Sequence, residues 1–349
     1  MFLFGGGKIL GLDIGTTSVK IAEVYLKDGR YHLGGYGILV NYGYLERVND
    51  AIQTRSFKIA EENAAYLINN LIEKAKVKVK TSIVSVPNFN SFSTLLDFPI
   101  ISDKEIAKAI PFQAKQYIPI PTTELVLDWQ VVEELTGHLQ ILLMAVPKDI
   151  INRYIKISKL SKLKIRAIEL EAISLARCLL SKDPTPSVIL DIGGRNSSII
   201  VVDKGTVRMI SSFDSAGGDL TQVIAAALNV NPFRAEEIKK TYGLKPPPGQ
   251  EVIANLMSPL LDNIKSEVDR VIFAYKRKTN RDINQIIITG GSANLVGLID
   301  YYQKQSKIRV IKGDPFELGV IGYDPKLAPV IKDIGSSLAV ACGLAMRGL

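Results

Sequence analysis

The sequence predicts an α/β protein built from two similar domains. Its 349 residues exceed the length that one hydrophobic core usually supports, and 47% of them are hydrophobic, which is enough for two cores. A five-residue pattern occurs twice, as GLDIG at residues 11–15 and as ILDIG at residues 189–193. Predicted strands and amphipathic helices alternate along the chain, which is typical of layered α/β domains.

Each copy of the repeated pattern predicts a β-hairpin. Apolar residues lead into it, and a stretch rich in β-branched residues follows it at residues 19–25 and 198–203. The aspartate follows a buried strand, so we expect its carboxylate at the mouth of a cleft. The glycine lets the backbone turn so that successive N–H groups form an anion-binding nest. One Asp-x-Gly alone predicts only an ordinary turn, whereas a matched pair predicts two phosphate loops.

The remaining segments supply the other layers of the two domains. Helical periodicity predicts helices over residues 60–76, 102–117, 148–163, 171–180, 218–228, 232–241, 251–277 and 336–347. Short apolar runs predict strands over residues 83–86, 125–132, 139–145, 164–170 and 285–289. The segment from about Pro99 to Ala145 interrupts the alternation with one helix, an Ile-Pro-Ile-Pro stop and two strands. We interpret it as a small inserted subdomain.

Charge and composition exclude several classes of protein. The net charge of +8 favours anionic partners such as nucleotides and phospholipid headgroups. A lysine run such as residues 74–80 predicts either solvated surface or a basic face near an anionic membrane. No basic stripe is interleaved with aromatic residues, so nucleic-acid binding is not predicted.

Cysteine, histidine and apolar runs point to an intracellular protein without a metal cluster. Cys178 and Cys342 are the only cysteines, and His32 and His138 the only histidines, which gives no disulfide framework, zinc site or Ser-His-Asp triad. The longest uncharged run, residues 283–299, is too short and too polar for a membrane span. The first seven residues are too short for a signal peptide, and we therefore expect a cytoplasmic protein.

The side chains beside the hairpins suit a magnesium–nucleotide complex. Residues 16–18 (Thr-Thr-Ser) add hydroxyl donors, and Lys20 adds a cation for the β- or γ-phosphate. We expect Asp13 and Asp191 to face each other and to hold Mg²⁺ through water molecules, because this ion keeps much of its hydration shell. A third motif at residues 287–293 (IITGGSA) is an apolar strand, two glycines and a helix start near Asn294, which suits a flat base against the backbone.

These three motifs, in this order, resemble the phosphate 1, phosphate 2 and adenosine motifs of the actin, Hsp70 and sugar-kinase superfamily. Within it the chain is similar to the PilM family of type IV pilus proteins and to the FtsA family of division proteins. Further stretches that carry the resemblance are residues 12–24, 116–119, 127–131, 145–149, 171–177 and 217–221. The resemblance implies an actin-like ATPase fold of two RNase H-like domains, with the insert in the position of subdomain 1C.

The resemblance also implies domain boundaries. Residues 1–98 and 147–185 would form domain 1A, and residues 99–146 subdomain 1C. Residues 186–334 would form the second domain, with a 2B insert at about 232–280, and residues 335–349 a helix that returns to domain 1A.

The ligands implied by the resemblance are ATP and Mg²⁺. Asp13, Asp191 and Glu171 are implied as catalytic residues, the two aspartates as metal ligands, and Glu171 as the group that orients the attacking water. Glu171 could equally cap the helix that it begins. The implied nucleotide-binding residues are Gly15, Thr16, Thr17, Lys20, Gly193, Gly194, Asn196, Ser197, Glu236, Lys239, Gly290, Gly291 and Ser292.

The sequence leaves two alternatives for each of two groups of residues. Glu236 and Lys239 either bracket the adenosine or belong to a solvated helix face with favourable charge spacing. Arg195 and Asn196 stand where relatives often have small residues and Thr, which leaves the rate of ATP hydrolysis open. Arg195 would either contact the phosphates or point to solvent.

The function implied is that of a cytoplasmic scaffold at the inner membrane, in pilus assembly or a related secretion system. Its surface between 1A and 1C would bind the cytoplasmic N-terminal peptide of a PilN-like membrane protein. Further partners would be other platform or motor proteins, or a second copy of the chain. The alternatives are a small-molecule kinase, for which no base after a substrate loop is found, and an FtsA-like filament former. The latter would contact the membrane weakly through Phe2, Leu3 and Phe4.

Overall fold

The computed structural model describes residues 7–40, 60–181 and 183–349. The predicted contact of Phe2, Leu3 and Phe4 with a membrane lies outside these residues. The α-helices are α1 Glu61–Lys74, α2 Asp103–Ala114, α3 Lys148–Leu160, α4 Glu171–Leu180, α5 Gly217–Leu228, α6 Pro232–Tyr242, α7 Val252–Thr279, α8 Leu298–Gln305 and α9 Ala328–Arg347. The strands are β1 Ile9–Ile14, β2 Ser18–Lys27, β3 Arg30–Val40, β4 Thr81–Val86, β5 Phe92–Pro99, β6 Leu125–Leu135, β7 His138–Pro147, β8 Lys164–Leu170, β9 Ser187–Ile192, β10 Ser197–Asp203, β11 Thr206–Phe213, β12 Gln285–Thr289, β13 Arg309–Lys312 and β14 Ile321–Gly322.

Two sheets repeat one strand order, so the sequence repeat corresponds to a structural repeat. The first sheet has the order β14-β3-β2-β1-β4-β8 and the second β11-β10-β9-β12-β13. In each, the strand before the Asp-x-Gly turn pairs antiparallel with the next strand and parallel with a later one. Both hairpins that the sequence predicts are present. The aspartates Asp13 and Asp191 consequently lie at equivalent ends of the central strands β1 and β9.

Strands β3 and β11 extend the two hairpins by one strand each and were not among the predicted elements. Each follows a two-residue turn with positive φ, at Asp28-Gly29 and at Lys204-Gly205. Such turns match the twist of a hairpin, and the Asp-Gly pair is a recognised signal for one. The helix predicted near Asn294 is also displaced: a 3₁₀ helix covers Gly291–Asn294, and α8 begins only at Leu298.

Helix α9 joins the end of the chain to the first sheet. It packs against α4 and β1, and Gly11 of β1 lies so close that a Cβ there would collide with the carbonyl oxygen of Ala341. Residues Pro325–Arg347 are long and apolar enough to cross a membrane by length and composition. Most of the last three turns are buried inside the protein, from Leu338 to Met346. This is the burial of a core helix. Lys332 and Asp333 near its start keep its uncharged stretch shorter than residues 283–299.

The inserted segment forms its own layer beside the first domain. Strands β5, β7 and β6 make a three-stranded antiparallel sheet, and α2 covers one face of it through Ile106, Ile110 and Ala114. Ser102 and Glu105 form a capping box that fixes the start of α2. Strand β5 already begins at Phe92, ahead of residue 99. The division into domains at the residue numbers given above remains a prediction.

Candidate functional site

A cleft between the two sheets brings together most of the residues that the sequence singles out. It is lined by the two Asp-x-Gly turns, the Gly290-Gly291 turn and the start of α4. Twelve of the predicted residues line it: Asp13, Gly15, Thr16, Thr17, Lys20, Glu171, Asp191, Gly193, Gly194, Asn196, Gly290 and Gly291. Strand topology explains this convergence, because the turns that follow β1, β9 and β12 lie at the same ends of the two repeated sheets.

The two hairpin turns have the same backbone geometry. Gly15 N–H donates to the carbonyl of Ser18 at 3.0 Å, and Gly193 N–H donates to the carbonyl of Asn196 at 3.1 Å. The loops approach each other so closely that a Cβ on Gly194 would collide with the side chain of Thr17. Gly290 has φ of 85°, and a Cβ there would meet the carboxylate of Asp191. Glycine at these two positions lets the loops around the cleft pack against each other at close range.

Asp13 is buried and held from two sides. Lys20 Nζ lies 3.0 Å from its Oδ2, and the Ser85 hydroxyl donates to its Oδ1 at 2.9 Å. Burial of the Lys20 ammonium is the largest single effect and lowers its pKa, but the attraction of Asp13, Asp191 and Glu171 together, with the hydrogen bond to Asp13, outweighs burial and raises the pKa. Lys20 is therefore a permanent cation at the floor of the cleft.

Asp191 and Glu171 add two further carboxyl groups to this floor. Burial raises the pKa of Asp191 to about 6; the ammonium of Lys20 opposes that shift and the carboxylate of Asp13 adds to it. Burial also raises the pKa of Glu171, and both aspartates add to that effect. Three carboxyl groups thus share one lysine, which leaves excess negative charge in a desolvated place. A divalent cation would relieve it.

Glu171 does not cap the helix that it begins. Its Oε2 accepts a hydrogen bond from the backbone N–H of Asn88 at 3.2 Å, and the side-chain oxygen of Asn88 caps α4 by accepting from Ala172 N–H at 3.0 Å. The capping interpretation is therefore wrong for its side chain. The carboxyl group of Glu171 still lines the cleft, and its part in catalysis stays a prediction.

Four predicted residues lie beside the cleft and do not line it. Glu236 and Lys239 form a buried ion pair of 2.6 Å, and Lys239 Nζ donates to the Gly217 carbonyl at 2.8 Å. The solvated-face interpretation of this pair is therefore wrong; the pair fixes the start of α5. The Ser197 hydroxyl donates to the carbonyl of Ser215, and the Ser292 hydroxyl lies 3.5 Å from the Gly193 carbonyl.

Several lining residues were not predicted from the sequence. They are Ser18, Pro87, Phe89, Leu175, Ser198, Ser336, Ser337 and Val340. Ser18 was noted only for its hydroxyl. Phe89 lies on the turn after β4, and Ser336 and Ser337 lie on α9, so both segments join the cleft only through the folded topology. Arg195 is half-buried and does not line the cleft.

The residues present fit Mg²⁺ with a nucleotide better than a metal held by protein alone. Within the described ranges no group of three or more His, Cys, Asp or Glu residues has metal-binding geometry. Mg²⁺ usually keeps several waters and takes one or two carboxylates together with phosphate oxygens. Asp13 and Asp191 on facing loops supply two carboxylates, while the paired turns and Lys20 supply donors for phosphate.

A second concave site lies between the insert and the first domain. One wall is β6, an edge strand of the small sheet, and the other is β8, an edge strand of the large sheet. Its lining is mainly apolar: Val86, Val126, Trp129, Met144, Val146, Ile151, Ile168, Leu170 and Ile173, with Asp128, Gln130, Glu169 and Arg347 at its polar positions. We call it the β6–β8 groove. The two arginines Arg177 and Arg347 hold Glu169 by ion pairs of 2.7 and 3.1 Å.

The repeated sheets and the cleft between them define an actin-like ATPase fold. Comparison with solved structures agrees. The chain matches a PilM–PilN type IV pilus biogenesis complex with a TM-score of 0.83 and 22% identity, over 97% of this chain and 98% of the other. It matches MreB5 of Spiroplasma citri bound to ADP with a TM-score of 0.53 and 12% identity, over 96% and 94% of the two chains. The fold predicted from the three motifs is confirmed.

Sequence comparison identifies the family. The profile described as type IV pilus assembly protein PilM matches residues 11–349, and the chain belongs to that family. Curated relatives include the cell division protein FtsA of Enterococcus hirae, 23% identical over 90% of this chain and 80% of FtsA. FtsA of Pseudomonas aeruginosa is 24% identical over 90% of this chain and 84% of FtsA. The resemblance to the PilM family is thus confirmed.

Proposed function

We propose that the protein is an ATP-binding scaffold at the cytoplasmic face of the inner membrane in type IV pilus assembly or a related secretion system. The observation that carries the nucleotide part is the convergence of Asp13, Asp191 and Lys20 on one cleft between matched glycine turns. Mg²⁺ would be held by the two aspartates through waters, and phosphates would lie against the N–H groups of both turns. Bound Mg²⁺ would neutralise the charge that these carboxylates share with the phosphates.

The nucleotide acts mainly as a clamp in this proposal. Its phosphates would contact turns from both domains, so it binds the closed arrangement better than an open one and shifts the population toward it. We expect slow or negligible turnover, because Arg195 and Asn196 depart from the usual second phosphate loop. Glu171 would orient water in any turnover that occurs.

The β6–β8 groove is the proposed site for the N-terminal cytoplasmic peptide of a PilN-like membrane partner. Two edge strands border it, and an extended peptide can add to an exposed strand edge through its backbone. The apolar lining would accept alternate apolar side chains of such a peptide. The family membership supports this partner class.

Two titrations test the proposal. Calorimetry should detect binding of Mg-ATP, and a labelled synthetic peptide from the partner's cytoplasmic N-terminus should bind when ATP is present. Val126→Asp places a charge in the groove from an exposed position of β6 and should abolish peptide binding while Mg-ATP binding persists. Val131→Asp is the matched control, since Val131 lies on the same strand, is similarly exposed and does not line the groove.

The outcomes separate the alternatives. Failure of the peptide to bind in the presence of ATP would contradict the scaffold function. Absence of any heat with adenine triphosphates would contradict the nucleotide site. Rapid turnover with a sugar or short-chain acid in a coupled assay would favour the small-molecule kinase instead.

A further inference from the structure

Two segments of the first domain carry seven lysines. One segment, residues 73–80, runs from the last turn of α1 to the start of β4, and the other, residues 159–164, runs from the last turn of α3 into β8. Their lysines are Lys74, Lys76, Lys78, Lys80, Lys159, Lys162 and Lys164. We call this surface the lysine face.

The fold places both segments at the same end of the domain. Helices α1 and α3 pack side by side, and the strands they lead into, β4 and β8, are parallel neighbours. Thr81 pairs with Lys164 in that ladder, and Lys164 N–H donates to the carbonyl of Lys80 at 2.8 Å. Val77 and Leu163 anchor the segments in one apolar cluster. The two segments that carry the lysines therefore lie side by side at this end of the domain.

The charge of this surface is uncompensated. All seven lysines are exposed, and none of their ammonium groups has an ion pair within the described part of the chain. Glu73 is the only acidic residue in the two segments. Lys156, by contrast, lies about one turn before Lys159 in α3 and is paired with Glu61 and Glu62. A dense group of like charges costs electrostatic free energy unless an anionic partner offsets it.

We propose that the lysine face binds the surface of an anionic phospholipid membrane. Clusters of four to eight basic residues attract acidic lipid headgroups, and each lysine near such a surface contributes to binding. Every basic residue in the two segments is lysine, whose compact charge suits diffuse attraction to many headgroups better than bidentate recognition of one ligand. Leu160, 40% exposed among the lysines, can enter the headgroup region. No aromatic residue lies in the segments to stack on bases, which disfavours nucleic acid.

Binding of the lysine face to a membrane is compatible with peptide binding in the β6–β8 groove but does not depend on it. Strand β8 begins at Lys164 on the lysine face and ends at Ile168 to Leu170 in the β6–β8 groove. At roughly 3.3 Å per residue, the distance from Lys164 along the strand is about 13 Å to Ile168 and about 20 Å to Leu170. A membrane-anchored peptide of modest length could therefore reach the groove while the lysine face rests on the bilayer.

Vesicle co-sedimentation without any partner peptide tests the proposal. The full chain is mixed with phosphatidylcholine vesicles, or with vesicles in which part of the lipid is phosphatidylglycerol, at low and at high salt. We expect binding only to the vesicles with phosphatidylglycerol, and release at high salt. Four exposed lysines are then neutralised by Lys74→Gln, Lys78→Gln, Lys80→Gln and Lys164→Gln. This variant should lose roughly a hundredfold or more in partition coefficient.

A matched control removes the same charge elsewhere. It carries Lys104→Gln, Lys108→Gln, Lys115→Gln and Lys278→Gln, all at exposed positions outside the lysine face. The control should bind nearly as well as the unmodified chain, and equal thermal unfolding of both variants shows that they fold. Equal losses in both variants, equal binding to both kinds of vesicle, or no binding to phosphatidylglycerol would overturn the proposal. None of these results depends on whether the groove binds a peptide.

Discussion

Arg281 of the second domain donates hydrogen bonds from its two terminal guanidinium nitrogens to the two carboxylate oxygens of Glu133 in the insert, at 2.7 and 3.2 Å. The same guanidinium lies 2.5 Å from Asp203, at the end of β10. Arg208, which is buried, also pairs with Oε2 of Glu133, at 3.1 Å. Hydrogen bonding to Arg281 lowers the pKa of Glu133 to about 2, so the carboxylate stays charged at all physiological pH values. This carboxylate thus joins the insert to the second domain, beside the hydrogen bonds from Thr206 to the Val132 carbonyl and from Arg208 to Gln140.

Glu133→Gln should destabilise the protein by about 3 kcal/mol, because it leaves the Arg208 guanidinium buried without its counter-ion. One nitrogen of Arg208 already has no hydrogen-bond partner, so the side chain has little to replace the lost contact. Denaturant unfolding at neutral pH measures the loss.

Lys204→Gln is the control for this substitution. Lys204 contacts the same carboxylate at 2.5 Å, but its side chain is 55% exposed. An exposed ion pair contributes about 0–1 kcal/mol, so stability should hardly change. Similar losses in both variants would mean that the burial of Arg208 is not the cause.

Asp191→Asn should stabilise the protein without nucleotide by about 2 kcal/mol at neutral pH, while it weakens Mg-ATP binding. The pKa of Asp191 is raised from its ordinary 3.8 to about 6, so its ionised form is disfavoured in the folded state. A neutral amide of the same shape removes that cost. Equilibrium unfolding and calorimetry on the same preparations measure the two effects.

The sign of this effect depends on pH. At pH values below 3.8, the raised pKa of Asp191 does not lower the free energy of unfolding, because the carboxyl group is then neutral in both the folded and the unfolded state. The cost grows as pH rises from 3.8 through about 6 and is constant above it. The stability advantage of Asp191→Asn should therefore disappear in acid. An advantage that persists unchanged below pH 3.8 would contradict the assigned cause.

The parts of the site that could be predicted from the sequence are the turns, because each is encoded by a short run of neighbouring residues. The two turns at Gly15 and Gly193 follow from buried strands that end in Asp-x-Gly, and the adenosine turn from two glycines after a strand. Contacts between distant segments leave no such pattern: Glu133 and Arg281 are separated by 148 positions. Glu236 and Lys239 look like a solvated face because charged residues are rarely buried unless they are paired. Their burial depends on Gly217 and Thr221, which approach them only in the folded protein.

The affinity for Mg-ATP should fall as pH drops through about 6. The ion requires an ionised Asp191, whose pKa lies at about 6 without ligand, so binding must release a proton below that pH. Loss of up to about tenfold per pH unit is expected for one linked proton, after correction for protonation of the free nucleotide. Calorimetry in two buffers of different ionisation enthalpy measures the proton directly. An affinity that is independent of pH between 3.8 and 6 would exclude Asp191 as a ligand.

Gly194→Ala should lower the affinity for Mg-ATP by about tenfold or more, because a Cβ there collides with Thr17 and forces the two phosphate loops apart. Gly205→Ala serves as the control: Gly205 has φ of 71° in the turn between β10 and β11, with open space around the new methyl group. The control should lose about 1 kcal/mol of stability through backbone strain and keep its nucleotide affinity.

A second substitution distinguishes steric separation of the loops from general damage to the second loop. The new methyl group in Gly194→Ala meets both the methyl and the hydroxyl of Thr17. Thr17→Ser removes that methyl and lets the remaining hydroxyl rotate away, so the double variant should regain part of the lost affinity. Additive losses in the double-mutant cycle would mean that the collision with Thr17 is not the cause of the lost affinity.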